Sequence, residues 1–372
     1  MHHPVDQLVS QLLNGLQLGS LYALIALGYT MVYGVLKLIN FAHGDVYMVG
    51  AYAGLGSVFV FSHVHHMIPS PGGAVLVLIG AMVISAIVGL IIEMAAYRPL
   101  RRRTWIAPTI VIGGIAGFIA WNIANDMDRT PASCYLIAAV CFIAVGFLLW
   151  SAARRRNLTA GTRLTALITA IGVSLLIENF CVLPQVFSAD LRFSKTIVEY
   201  PQNTSLGSLS VNTDTLVVFA VSLFLMALLT YVVTKTKVGM AIRAVSFDAE
   251  AAALMGIKTD RIIALTFALG SALAGAAGLM VPEVTHSSFS PTSGIIIGLK
   301  AFVAAVLGGI GNIPGALIGG LVMGIAETMV VAYGPAIGIS TSYRDAVAFF
   351  VLILVLIFRP AGILGRFVPE KV

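Results

Sequence analysis

Two polar interruptions of otherwise apolar sequence hold the residue types best suited to engage a small charged molecule. One is Asn40-Phe41-Ala42-His43-Gly44-Asp45, and the other is "HSSFSPTSG" from His286 to Gly294, with Ser287, Ser288, Thr292 and Ser293. Each follows a Gly/Ala-rich stretch and precedes an apolar one, so each reads as a place where one helix ends and another begins. A helix N-terminus attracts anions through its free N–H groups and its dipole, so these two can receive a carboxylate. Asp45 can meet an ammonium group, or it can cap the helix that it opens, which is the commoner use of Asp at such a position.

Covalent and metal chemistry lack a complete set of residues. His43 and Asp45 have no nucleophile at suitable spacing, so no catalytic residues are expected and the chain does not read as an enzyme. His63, His65 and His66 have no Cys, Asp or Glu beside them and read as interfacial histidines; no metal or other cofactor is expected on this chain. Cys134 and Cys141 are two helical turns apart in apolar sequence, which does not suit a disulfide, and Cys181 is likewise apolar in context. A nucleotide-cradling G-x-x-x-x-G-K-[ST] loop is missing, and the Gly-rich "LGGIGNIPGALIGG" carries no lysine.

The elements that must position these residues are set by composition. Of 372 residues, 59% are hydrophobic and 10% charged, with mean hydropathy +0.98. Soluble domains carry roughly 25% charged residues, so lipid must be the solvent for much of this surface. Apolar segments fall near 8–36, 43–62, 73–97, 106–124, 132–150, 164–184, 214–234, 262–281, 294–312, 315–333 and 343–358. The break at Gly311–Pro314 is short enough for a tight or re-entrant hairpin. The expectation is an all-α, polytopic membrane bundle of about ten transmembrane spans. "MHHPVDQLVSQLL" has no basic n-region or small-residue cleavage site, so the first span is expected to be retained.

Basic residues orient the spans. They cluster at Arg98–Arg103, Arg154–Arg163, Lys235–Arg261 and Arg359–Lys371, each pair of clusters separated by an even number of segments. Placing all four in the cytoplasm puts the N-terminus outside and the C-terminus inside. The net charge of +6 therefore speaks for loop placement and not for nucleic acid. The stretch Asp190–Asp214 becomes a solvated outer ledge.

Charges within apolar segments cost about 2.5–3.5 kcal/mol each at mid-bilayer and need partners or water. Glu93 is expected to pair with Arg98 or to snorkel at the cytoplasmic end, and Glu178 to lie near the outer end of its span. Lys300 and Glu327 can pair with each other, or Glu327 can face a polar pathway. Gly311, Gly315 and Gly319, with Gly320 and Gly324 repeating the spacing, form a small-residue ridge for close helix packing.

The loop 235–261 contains Asp248, Glu250-Ala251-Ala252 and, six positions after the Glu, Gly256. Acidic residues at the start and glycine at the end frame a short capped helix on the cytoplasmic side. This spacing resembles the EAA loop of ABC importer permeases, whose coupling helix docks on an ATPase; the Leu-Pro that often closes that motif is replaced by "IIALTF".

Longer strings narrow the likeness. "NGLQLGSLYALIALGYTMVYGVLKLINFAHGDVYMVGAY", "YRPLR", "LITAIGVSLLIEN", "LMGIKTDRIIALTFALG", "GLKAFVAAVLGGIGNIPGALIGGLVMGIAE" and "RPAGILGRFVPEKV" resemble the permeases of leucine/isoleucine/valine ABC importers. In that family "YRPLR" is soon followed by "LITAIG". Here about sixty residues, 102–161, intervene and read as an inserted, lipid-facing transmembrane hairpin. The resemblance implies the ABC importer permease fold, alternating access, and a bacterial inner membrane. It also implies partners: a second related permease forming a heterodimer, two ATP-binding subunits carrying ATP and Mg, and a periplasmic substrate-binding protein. Related permeases carry urea or short amides, and an ion-coupled secondary transporter using Asp45 or Glu327 is the reading from a different class.

Overall fold

The computed structural model describes residues 4–65, 71–102, 163–183, 186–187, 203–206, 209–285, 289–338, 340–359 and 361–365, with single positions at 120, 140 and 144. The expected segments 106–124 and 132–150 lie almost wholly outside the described residues. Twelve helices carry the remainder: α1 (Pro4–Leu36), α2 (His43–His65), α3 (Pro71–Ile92), α4 (Arg98–Arg102), α5 (Arg163–Val182), α6 (Thr213–Lys235), α7 (Lys237–Phe247), α8 (Ala249–Leu254), α9 (Thr259–Thr285), α10 (Ser293–Gly308), α11 (Ile313–Tyr333) and α12 (Arg344–Phe358). Six stretches of helix among them are long and apolar enough to cross a membrane, and α5 and α10 contain shorter apolar helices. Helices are the open structure that lipid tolerates, because each satisfies its own backbone. The departure from all-α architecture among the described residues is an antiparallel hairpin, Asn203–Leu206 with Leu209–Asn212, on the expected outer ledge. It leads into α6, whose first turn is capped by the Asn212 side chain accepting from Asp214 N.

α1 is the axis of the molecule: Leu21 to Leu27 are all buried, whereas α12 turns Phe350, Ile353, Ile357 and Phe358 outward. Glycines set the packing. Gly19 lies against Leu321, and Gly320 against Ala23, so α11 runs antiparallel along α1. In the same way Gly89 lies against Ser271, and Gly275 against Ser85 and Ala81, so α3 runs antiparallel along α9. The ridge expected on α11 divides between two faces: Gly315 and Gly319 pack on Gly308 and Ala304 of α10, and Gly320 and Gly324 on α1. Gly311 is a correction. It lies in the turn between α10 and α11 at φ +91°, exposed, and takes no part in the ridge.

The chain doubles back twice. α1 continues two turns beyond Gly28 to Leu36, yet His43, which opens α2, packs beside Gly28. That retreat amounts to about 12 Å at 1.5 Å per residue. α9 likewise continues two turns beyond Gly278, which touches Tyr47 and Ala51 of α2, before α10 opens at Gly294 beside Gly44 and Met48. α2 and α10 thus both begin inside the bundle. α1 and α10 run one way, α2 and α9 the other, so α1–α2–α3 and α9–α10–α11 are inverted copies of one arrangement. Discontinuous helices at the interface of such repeats place substrate sites in many transporters.

α3 passes into α4 through a π-helical turn, Glu93–Tyr97, which leaves both of its end residues buried. It also corrects the pairing expected for Glu93. The partner is Arg101, with Nη2 2.5 Å from Oε1, and not Arg98. The extra residue of the π-turn rotates Arg98 away and brings the eighth residue onward to the face that a regular helix would give the seventh. Arg101 also reaches Asp260 of α9 at 3.5 Å.

Candidate functional site

The starts of α2 and α10 cross at bare backbone. A Cβ on Gly44 would overlap the Gly294 carbonyl and Gly298, and one on Gly298 would overlap Gly44, so glycine is required for this approach. Beside the crossing, a cavity of about 180 Å³ is lined by Tyr29, Phe41, Ile171, Ser174, Leu175, Gly294, Ile295, Gly298 and Leu299. Its walls come from α1, α5, α10 and the loop before α2.

Asp45 lies one residue past the crossing and is 1% exposed. Neither carboxylate oxygen takes a hydrogen bond of normal geometry, so the capping use favoured from sequence is not realised here. The Ser174 hydroxyl of α5 is the nearest side-chain partner of Asp45, and Glu178 of α5 and Tyr29 of α1 lie close by. On α10 the first turn holds no acidic residue, and its N-cap, Thr292, makes no capping bond. Thr292 instead bonds Ser290, and Ser293 accepts from Ser290 N at 2.9 Å. Of the expected site residues, Gly44 is brought against the start of α10, which Thr292 and Ser293 lead into, while Ser287 and Ser288 lie outside the described residues.

Three others are placed elsewhere. His43 is enclosed, its ring edge-on to Tyr29 with centroids 4.7 Å apart, and fills a notch left by Gly28. Its role in this geometry is packing. Asn40 accepts from the Tyr97 hydroxyl at 3.1 Å, joining the α1–α2 loop to the π-turn. Glu327 is in an ion pair with Lys300, Nζ to Oε1 2.7 Å, and accepts from the Tyr22 hydroxyl at 2.8 Å. The paired reading of Glu327 is the one realised. Among the described residues, no group of three or more His, Cys, Asp or Glu is arranged to hold a metal.

At the end of the bundle where α1 finishes, the loop 235–261 forms two helices where one was expected. α7 is held to α1 by Ser246 Oγ donating to Gly34 O at 2.6 Å. Asp248 then caps α8, accepting from Glu250 N and Ala251 N at 2.9 Å each. Gly256 closes it at φ +85°, with Gly256 N to Ala253 O and Ile257 N to Ala252 O completing the C-terminal turn. Only glycine adopts this left-handed conformation without cost. Glu250 and Ala251 are exposed, whereas Ala252 faces inward. The alanine surface expected there is flanked by Phe247, Leu254 and Met255, which are 96%, 89% and 85% exposed. Sequence reading missed these three, and it missed Tyr29 and Ser174 beside Asp45. The one available signal was the position of Phe247, Leu254 and Met255 outside any span, where lipid does not account for them.

A helical membrane bundle of inverted repeats, with a capped helix at one end, is an architecture that many membrane transporters use. Comparison with known proteins gives its family. The model for the branched-chain amino acid transport system permease component matches residues 11–356, and the chain belongs to that family. The high-affinity branched-chain amino acid transport system permease protein LivH of Escherichia coli K12 is 38% identical, over 98% of this chain and 97% of its own. The corresponding protein BraD of Pseudomonas aeruginosa is 35% identical over 98% of each. The fructose import permease FrcC of Rhizobium meliloti is more distant, 28% identical over 51% of this chain and 54% of its own. No solved structure matches the chain.

Proposed function

We infer that this chain is the membrane-spanning permease subunit of an ATP-driven importer for branched-chain amino acids. The observation that carries this reading is family membership across residues 11–356, the span that contains both the helix crossing and the capped helix α8. In this reading α8 docks on an ATP-binding subunit through Glu250, Ala251 and the apolar residues around them. The bonds from α7 to α1 and from Arg101 to Asp260 pass its motion to the bundle. Two such ATPases hydrolyse ATP with Mg, a second related permease completes a heterodimer, and an external binding protein delivers the substrate. The end bearing α7 and α8 faces the cytoplasm: Arg98, Arg101, Lys235, Lys237, Lys258 and Arg261 gather there, as the positive-inside rule requires. The N-terminus is then external and the membrane is the bacterial inner one. About ten spans follow if the insert 102–161 adds a peripheral hairpin to the described helices.

The test is uptake by proteoliposomes holding this chain, its companion permease, the ATPases and the loaded binding protein. ATP-dependent accumulation of leucine, isoleucine and valine is expected, with urea and acetamide excluded. Uptake by this chain alone, driven by an ion gradient without ATP, would replace the reading with secondary transport.

A further inference from the structure

At the end of the bundle that bears α7 and α8, a cleft of about 460 Å³ separates α4 from the start of α9. Arg98 lines one side of it, and Lys258, Thr259 and Arg261 line the other. Three cations from two distant stretches of sequence thus converge. Asp260 is the acidic residue of the cleft; it is 8% exposed, and its carboxylate already faces Arg101 at 3.5 Å. Arg98 is the cation that the π-turn rotates away from Glu93. It is half-buried, and its Nε has no hydrogen-bond partner among the described residues. A guanidinium in that condition is costly unless an anion comes to meet it. Lys258 and Arg261 are exposed and free to reach the same anion. The positive-inside rule accounts for the sign of these charges, and not for their convergence.

The level of the cleft selects the anion. One stretch long and apolar enough to cross a membrane ends at Arg101 and another begins at Thr259, which puts Arg98 and Thr259 at the depth of the lipid headgroups. One residue on from Arg98, α4 turns Pro99 and Leu100 to an apolar groove of about 570 Å³, shared with Ile91 of α3 and with Val173 and Leu176 of α5. Ile91 is 40% exposed, so acyl chains can reach that groove. We propose that the cleft binds the phosphate of an anionic phospholipid, held by Arg98, Lys258 and Arg261. Basic pockets between transmembrane helices suit such headgroups. Ala253 of α8 and Ile257 of the turn behind it also line the cleft, so the bound lipid ties α4 to the element that carries α8. The site goes beyond the importer reading and stands without it.

The experiment uses the assembled transporter in an uncharged detergent, with tail-labelled fluorescent phosphatidylglycerol followed by anisotropy. Unlabelled phosphatidylglycerol is expected to displace the probe, whereas phosphatidylcholine, which has no net charge, and millimolar inorganic phosphate are not. Arg98→Gln, and separately Lys258→Gln with Arg261→Gln, are each expected to weaken binding about ten-fold or more, the worth of a hydrogen bond to a charged group. Lys235 and Lys237 are exposed and lie outside the cleft, so Lys235→Gln with Lys237→Gln should leave binding unchanged. Equal weakening by the two lysine-bearing double variants would reduce the effect to diffuse surface charge and overturn the proposal. Parent affinity in Arg98→Gln or in the Lys258/Arg261 variant overturns it too, as does equal displacement by phosphatidylcholine. Displacement by inorganic phosphate would hand the cleft to a soluble anion and overturn the lipid. Should Arg98→Gln fail to assemble, the Lys258/Arg261 variant, changed only at exposed side chains, decides alone.

Discussion

Lys300 Nζ stands 2.7 Å from Glu327 Oε1 and 2.6 Å from Asp345 Oδ1, joining α10, α11 and α12 at one point. The Lys300 and Glu327 side chains are 4% and 6% exposed, and Tyr22 of α1 donates to the second oxygen of Glu327. α10 begins inside the bundle, so this junction fixes its position from the side away from the crossing. Arg344 adds a longer contact to Glu327 at 3.9 Å.

Lys300→Met strands a buried carboxylate, and breaking one side of a buried pair costs about 3–5 kcal/mol. The variant is expected to melt at lower temperature in detergent and to accumulate poorly in membranes. Lys300→Met with Glu327→Leu removes the stranded buried charge, leaves the partly exposed Asp345 to Arg344, and should restore most of the loss. Thermal unfolding followed by size-exclusion fluorescence checks both. A double variant no better than the single one would mean that the pair does more than neutralise itself.

The crossing of α2 and α10 tolerates no side chain at Gly44. Gly44→Ala places a methyl group against the Gly294 carbonyl, and overpacking of this kind costs about 1–3 kcal/mol. Uptake is expected to fall more than ten-fold while the protein still inserts. Gly72→Ala is the control, because a Cβ there meets nothing within 4 Å. Wild-type uptake by Gly44→Ala would show that the helices separate more easily than their packing indicates.

Much of this architecture was readable from the chain. A run of about 20 apolar residues is a strong signal in any span, and the longer helices α1, α2, α3, α5, α6, α9, α10, α11 and α12 fall where those runs lie. Lys300 and Glu327 were readable as a pair because charges are scarce in lipid and the two sit in neighbouring segments. Glu93 was assigned to Arg98 since an ordinary helix makes nearer residues neighbours, and nothing in "EMAAYRPLR" marks the π-turn that hands the contact to Arg101. Ser174 and Tyr29 were invisible as site residues: a lone hydroxyl in an apolar helix has no spacing to betray it. Asp45 could not be separated from a cap until its unpaired oxygens were seen. The turn that sets Gly311 apart from Gly315 and Gly319 depends on φ, which spacing does not report.

Arg101 bridges Glu93, fully buried on the π-turn, and Asp260 at the start of α9. The bridge is a quarter exposed on the arginine side, so part of its strength is lost to solvent screening. Arg101→Met is expected to uncouple the two helices and leave Glu93 unpaired, giving a lower melting temperature. Glu93→Gln together with Arg101→Met should recover stability, because no buried charge is then left alone. Recovery of stability without recovery of uptake would assign the bridge to transmission of motion. Recovery of both would make it structural.

The last prediction concerns α8. Leu254 and Phe247 are so exposed that folding gains little from them, and Leu254→Ser or Phe247→Ser should leave expression and melting unchanged. Each should nonetheless reduce the ATPase that co-purifies, since exposed apolar residues in a polar rim mark a docking surface. Gly256→Trp acts differently. There is open space around Gly256, so the cost is conformational, roughly 1–2 kcal/mol for an L-residue held left-handed. Asp248→Ala removes the opposite cap at a cost of about 1 kcal/mol. Both should distort α8 and lower uptake, and Glu250→Lys should do so by reversing an exposed charge. The discriminating measurement is the ratio of leucine imported to ATP hydrolysed. If Gly256→Trp and Glu250→Lys both import leucine at the parent rate, α8 is not where the ATPase engages this chain.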